Sequence, residues 1–256
     1  MEKSGEIVRE LRDIALAAGA AIMNVYESDF DIRSKEDRSP VTDADERAES
    51  IIVTRLAELT PGIPVVAEES VTAGNVPHIP EGRFWLVDPL DGTREFISRN
   101  GEFTVNIGLI ESGRPALGVV YVPARRRMYT AGGPGAVFIE EDDGPARPIA
   151  ARAPAEDGLV AVASRSHRDA RTDEFLGTLP VKDLTAAGSS LKFCLVAAGE
   201  ADIYPRFGRT MEWDTAAGHA VLAAAGGSVR TVDGDDLLYG KDGFENPFFI
   251  ARGVEA

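Results

Sequence analysis

Trp85-Leu86-Val87-Asp88-Pro89-Leu90-Asp91-Gly92-Thr93-Arg94-Glu95-Phe96 decides how this chain is read. An apolar run ends in two aspartates three residues apart, and Pro89 and Gly92 force a tight turn there. Thr93 follows, with a polar, helix-compatible segment behind it. Such a turn can aim two carboxylates and a backbone carbonyl at one point, and hard divalent cations prefer oxygen ligands of that kind. The amides of Gly92 and Thr93, at the start of a helical turn, would face the same point and suit a phosphate. Asp, Pro and Gly are also the commonest turn residues, so the stretch alone reads as a structural turn as well.

Other acidic residues fall at element ends. Glu68 and Glu69 close a short apolar run at 64–67, and Asp214 opens a helix rich in small residues. Each has a plain reading taken singly. Glu69 could be a solvated loop residue, and Asp214 could cap its helix.

Composition sets the limits. The chain has 256 residues, 44% of them hydrophobic, enough for one globular unit or two modest layers sharing an interface. No apolar run approaches the roughly 20 residues that span a bilayer. The charged start Met1-Glu2-Lys3-Ser4-Gly5-Glu6 lacks the apolar core of a signal peptide. Cys194 sits in an apolar segment and reads as a buried, inert thiol. A soluble cytoplasmic protein is expected. A formal charge of −15 excludes a nucleic-acid polymer as partner, because such binding needs a basic footprint. Arg125-Arg126-Arg127 reads as a solvated turn. Positive charge for a small anionic ligand must then be supplied locally.

Apolar positions at helical spacing predict helices over 5–26 and from Thr42-Asp43-Ala44-Asp45 to about Leu59. Strands are expected at 64–67, 84–87, 103–111, 116–121, 127–131 and 136–140. The acidic, Pro-containing stretch 141–156 marks a domain boundary, giving an N-terminal α+β domain over 1–155 and a C-terminal α/β domain over 156–256. In the second, strands at 159–163 and 201–204 alternate with helices at 169–179, 189–198 and 214–225. Layered α and β is the expected outcome.

Three segments carry a resemblance. Ala67-Glu68-Glu69-Ser70, Asp88-Pro89-Leu90-Asp91-Gly92-Thr93 and Trp213-Asp214-Thr215-Ala216-Ala217-Gly218 resemble, in order, the three signatures of the inositol monophosphatase superfamily. Arg94-Glu95-Phe96, the run from Asn100 to Asn106, Ser164-Arg165-Ser166-His167, Gly188-Ser189-Ser190-Leu191-Lys192-Phe193-Cys194 and Tyr204-Pro205-Arg206-Phe207-Gly208 resemble its CysQ type, the 3'(2'),5'-bisphosphate nucleotidases.

The resemblance implies the layered α-β-α-β-α sandwich of the sugar phosphatases and a magnesium-dependent, lithium-sensitive phosphatase. The implied substrate is adenosine 3',5'-bisphosphate, with its sulfated form second and an inositol or fructose-bisphosphate phosphatase as the alternative. Two or three Mg²⁺ ions would be held by Glu68, Asp88, the Leu90 carbonyl, Asp91 and Asp214. Glu68, Thr93 and Asp45 would orient the attacking water. Gly92, Thr93, His167, Ser189, Lys192 and Arg206 would contact substrate, with Asp214 near the sugar. Lys35 and the loop to Pro40 match a segment that closes over the site. Thr185-Ala186-Ala187 is blander than an adenine-facing segment should be. The implied partner is a small phosphorylated metabolite, and a homodimer is the oligomer to test.

Overall fold

The computed structural model describes residues 2–28, 33–34, 40–41, 43–79, 82–166 and 168–254. Helix α1 (Glu2–Tyr26) buries Leu11, Ile14, Ala18 and Ile22 along one stripe. The short strands β1 (Arg33–Ser34) and β2 (Pro40–Val41) pair antiparallel. Helix α2 (Asp43–Leu59) starts with Asp43, Asp45 and Glu46, acids at the positive end of the helix dipole.

A seven-stranded sheet follows in chain order: β3 (Val65–Ala67), β4 (Arg83–Asp91), β5 (Thr104–Glu111), β6 (Arg114–Val122), β7 (Arg127–Ala131), β8 (Val137–Glu141) and β9 (Arg147–Pro148). Only the β3–β4 pairing is parallel. The short helices α3 (Glu68–Thr72) and α4 (Thr93–Ile97) begin where β3 and β4 end.

The chain then builds β10 (Leu159–Ser164), α5 (Ala170–Gly177), β11 (Val181–Ala187), α6 (Leu191–Ala197), β12 (Ile203–Arg206), α7 (Glu212–Ala224), β13 (Ser228–Thr231) and β14 (Phe249–Arg252). These strands form a second sheet, ordered β11-β10-β12-β14-β13.

Three cores separate five layers. One lies between α1, α2 and the outer face of the first sheet, where Trp85, Val87, Val105 and Ile107 point. A second holds α6 and α7 between the sheets, with Leu86 and Ile110 on one side and Val162, Tyr204 and Phe249 on the other. The third packs Leu176 of α5 on Ala161 and Ile203. The result is the expected α-β-α-β-α sandwich.

Helix α7 fits there because small residues face it. A Cβ at Gly118 would lie 2.7 Å from the Ala217 carbonyl oxygen and the Ala220 Cβ, and one at Gly108 3.0 Å from the Ala216 Cβ.

Besides the two-residue strands β1, β2 and β9, which fall where a loop and a boundary were expected, the sequence reading missed β11, β13 and β14. Strand β11 is an edge strand with Lys182, Asp183, Thr185 and Ala186 exposed, so it carries no apolar alternation. The other two have four residues each. Strand β4 runs on past the expected 84–87 to Asp91, through Pro89.

Candidate active site

The reach of β4 through a proline has a structural cause. Phe84 and Leu86 face the core between the sheets, while Trp85 and Val87 face α1 and α2. Side chains alternate faces along a strand, so residues three apart should point to opposite sides. Here Asp88 lies opposite Asn106 and Asp91 opposite Thr104, with a register shift between them. Three steps on β4 match two on β5, which is a β-bulge. The extra residue flips the alternation: Leu90 joins the α1/α2 core, and both aspartates face the layer of α7. Pro89 has no N–H to lose at the bulge. The Leu90 N–H donates to Asp88 Oδ1 at 3.0 Å, and the Thr93 hydroxyl lies 3.5 Å from the Leu90 carbonyl. Gly92 then turns the chain into α4 at φ +89°, a left-handed conformation that favours glycine.

Glu68 is the first residue of α3. That helix start is fixed by Glu49 of α2, whose carboxylate accepts the N–H groups of Glu69 and Ser70, each at 2.8 Å, and the Ser70 hydroxyl at 2.6 Å. Asp214 sits in the first turn of α7 and accepts the Met211 N–H at 2.8 Å through Oδ2.

Glu68, Asp88 and Asp214 each bring a carboxylate oxygen within 4.8 Å of the others. Burial, then the charges of Asp91 and Glu68, hold the Asp214 carboxyl well above the usual carboxylate range. Asp91 is pushed up to about 6, by burial first; Lys192 opposes the rise and Glu95 adds to it. Oxygen donors crowded against their own repulsion are a fit for hard divalent cations. Asp91 stands outside the triad: its Oδ2 accepts the Ser190 N–H at 2.6 Å and the Asn106 amide at 3.4 Å.

The opposite wall carries cations. Lys192 is 3% exposed; its ammonium donates to the Ser189 carbonyl at 2.5 Å and lies over the Tyr204 ring, 5.2 Å from the centroid. Burial lowers its pKa to about 8, against the pull of Asp91. Arg206, 9% exposed, donates from Nη2 to the Arg209 carbonyl at 3.1 Å, while its buried Nε has no partner. The Ser189 hydroxyl donates to the Glu102 carbonyl at 2.7 Å.

Glu68, Asp88, Leu90, Asp91, Gly92, Thr93, Ser189, Lys192, Arg206 and Asp214 line one cleft of about 900 Å³. Asp45 is not among its lining residues; it is buried in the first turn of α2. His167 and the run from Lys35 to Ser39 lie outside the described residues. Arg125, read as part of a solvated turn, is exposed and also pairs with Glu102 at 2.7 Å.

Sequence reasoning assigned no role to Glu49, Glu95 or Glu102. All three are buried. Glu95 and Glu102 stood in segments that carry the family resemblance, but neither was given a role, and nothing marked Glu49. Glu95 lines the cleft, with Oε1 accepting the Ser166 hydroxyl at 2.5 Å.

The model of the inositol monophosphatase family matches residues 5–249. The 3'(2'),5'-bisphosphate nucleotidase CysQ of Escherichia coli (strain K12) is 51% identical over 239 residues, covering 92% of this chain and 95% of that protein. The protein of the same name from Salmonella typhimurium (strain LT2) is 48% identical over 246 residues, covering 95% and 98%. The crystal structure of CysQ from Bacteroides thetaiotaomicron superposes with a TM-score of 0.82 at 39% identity, over 97% of each chain. A sandwich whose acidic triad sits at a strand bulge, a strand-to-helix junction and a helix start, with matches over nearly all its length, leaves one conclusion: the chain belongs to the inositol monophosphatase family.

Proposed function

We propose that this protein is a metal-dependent 3'(2'),5'-bisphosphate nucleotidase that releases the 3'-phosphate of adenosine 3',5'-bisphosphate, and acts on the sulfated form in the same way. One observation carries the substrate reading: the cleft pairs an acidic triad with a buried arginine whose Nε has no protein partner. A monophosphate needs only the acidic pole and its cations. A second phosphate gives the guanidinium a planar, charge-matched acceptor. The relatives named CysQ support the same reading over most of the chain.

Glu68, Asp88, Asp91, Asp214 and the Leu90 carbonyl would hold two or three Mg²⁺ ions. When bound, such ions supply Lewis acidity toward the phosphoryl group and toward water. The rest falls to the chain. Glu68 and the Thr93 hydroxyl orient a water in line with the bond from phosphorus to the ribose oxygen; Asp45, buried outside the cleft lining, would act on that water only indirectly. The Gly92 and Thr93 amides face the charge that gathers on the equatorial oxygens. Arg206 and Lys192 hold the 5'-phosphate side, aided by Ser189 and His167, and Asp214 lies near the sugar. On this reading the phosphoryl group passes directly to water, with no covalent phosphoenzyme.

Among the described residues no helix is long and apolar enough to cross a membrane. A cytoplasmic setting belongs to the same proposal, and the homodimer expected from the sequence is tested by sedimentation. The test is phosphate release from adenosine 3',5'-bisphosphate, inositol 1-phosphate and fructose 1,6-bisphosphate, with and without Mg²⁺. Preference for inositol 1-phosphate would replace the nucleotide reading with a polyol one.

A further inference from the structure

Glu102 lies in the loop ahead of β5, outside the acidic triad and the cleft lining, and is 5% exposed. Its oxygens are filled by donors. Oε1 accepts Arg125 Nη2 at 2.7 Å and Arg165 Nη2 at 3.0 Å. Oε2 accepts Arg165 Nε and the Gly188 N–H, both at 2.8 Å. Its main-chain carbonyl takes the Ser189 hydroxyl at 2.7 Å. Arg165, Gly188 and Ser189 all belong to the part of the chain that builds the second sheet. Burial alone would raise this carboxyl's pKa, but Arg165, the Gly188 N–H and Arg125 outweigh it and keep the pKa below the ordinary value.

The turn held in this way does not hold itself. Ser189 sits at φ +45°, in the left-handed region that a residue with a Cβ occupies at a cost. A Cβ on Gly188 would lie 2.6 Å from Glu95 Cγ and 2.8 Å from the Glu102 carbonyl oxygen, so the turn is pressed against both acids. The next residue, Ser190, donates its N–H to Asp91 Oδ2 at 2.6 Å and its hydroxyl to Asn106 Oδ1 at 2.6 Å.

We infer that Glu102 is a positioning residue of the reaction: it seats the 188–190 turn and, through the Ser190 amide, fixes the orientation of Asp91. The inference rests on the metal role proposed for Asp91. It makes the joint between the two sheets part of the catalytic geometry, and it needs no contact between Glu102 and substrate.

The experiment compares wild type with Glu102→Gln, which keeps the shape but replaces one acceptor oxygen by a donor. Hydrogen exchange of the Ser190 amide is read in the metal-free proteins, and Mg²⁺ binding is read by calorimetry. The loss of a charge-assisted bond should speed Ser190 exchange and weaken Mg²⁺ binding by about tenfold each, with amides of the β5–β6 ladder unchanged. With adenosine 3',5'-bisphosphate, KM should rise while kcat at saturating Mg²⁺ stays within about threefold of wild type. Arg165→Gln, at a half-exposed position, should give the same pattern in smaller measure and serves if Glu102→Gln does not fold. A folded variant with Ser190 exchange and Mg²⁺ affinity as in wild type overturns the inference. So does a uniform acceleration that includes the β5–β6 ladder, which would make Glu102 a global stabiliser only. A wild-type protein inactive on the bisphosphate would defeat the nucleotide reading, and Ser190 exchange would still decide the role of Glu102.

Discussion

The two walls of the cleft are built on opposite plans. On the acidic wall, carboxylates are fixed by backbone amides: Asp88 by Leu90, Asp91 by Ser190, Asp214 by Met211, and Glu68 indirectly by the amides that Glu49 holds. On the basic wall, two buried cations differ in how far the protein has already engaged them. The Lys192 ammonium faces carbonyls of its own turn and the field of Asp91, whereas the Arg206 Nε has no protein partner. Like charges must be pinned one by one, because nothing in the apo protein attracts them to each other. A cation meant for a ligand must keep donors free.

The acidic wall breaks most completely. Asp91→Asn keeps shape and removes a charge, so turnover should be abolished while circular dichroism remains that of the wild type. Wild-type rates in this variant would make the turn merely structural. Exchanging the ion is a second route. Ca²⁺ takes a looser, larger coordination than Mg²⁺, so Ca²⁺-loaded protein should bind the ion without turnover, and Li⁺ should inhibit the Mg²⁺ form. Full activity in excess chelator would sink the metal mechanism.

The basic wall should respond unevenly. Arg206→Ala should raise KM for adenosine 3',5'-bisphosphate by about 10- to 100-fold, the loss of a charge-assisted contact of about 1.5–3 kcal/mol. Hydrolysis of a 3'-monophosphate lacking the 5' group should change far less. Lys192→Met should add to a loss on the bisphosphate a smaller loss shared by both substrates, because its ammonium also acts on the 187–189 turn and Asp91. Equal losses on both substrates in the Arg206 variant would erase the distinction.

The smallest effect is on stability. The folded, metal-free protein holds a proton on Asp91 up to about pH 6 that an ordinary aspartate, with a pKa of about 3.9, would release. A raised carboxyl pKa stabilises the fold fully below the unfolded value, and that contribution is lost as pH rises through about 6. Metal-free Asp91→Asn should therefore exceed metal-free wild type at pH 8 by about 1–2 kcal/mol, allowing for solvent screening at a partly exposed carboxyl. In calorimetric scans this is a gain of about 2–8 °C. A lower midpoint for the variant would show that the Ser190 and Asn106 bonds outweigh burial and repulsion.

The contrast also explains what could be read in advance. Asp88, Asp91, Gly92 and Thr93 are contiguous, and their turn chemistry is local, so the motif stood out in one dimension. Helices α1 and α2 were legible from their apolar spacing. The bulge was not, because Pro89 read as a stop signal where it marks a change of face. Nor were Glu49 and Glu102, whose partners lie 20 residues away in one case and 86 in the other. Strand β11 escaped because an edge strand need not alternate.

The bulge in β4 also divides the chain by what lengths it will accept. Losing or gaining one residue between Phe84 and Asp91 would swap inner for outer faces, sending a ligand carboxylate toward the core under α1 and α2 and an apolar side chain into the cleft. The segment can absorb no change of length. The loop from Asp142 to Gly144, between β8 and β9, has an exposed tip and anchors no cleft residue, so it can lengthen at little cost. Among related chains and in deletion libraries, gaps should gather at such loops and be missing from β4.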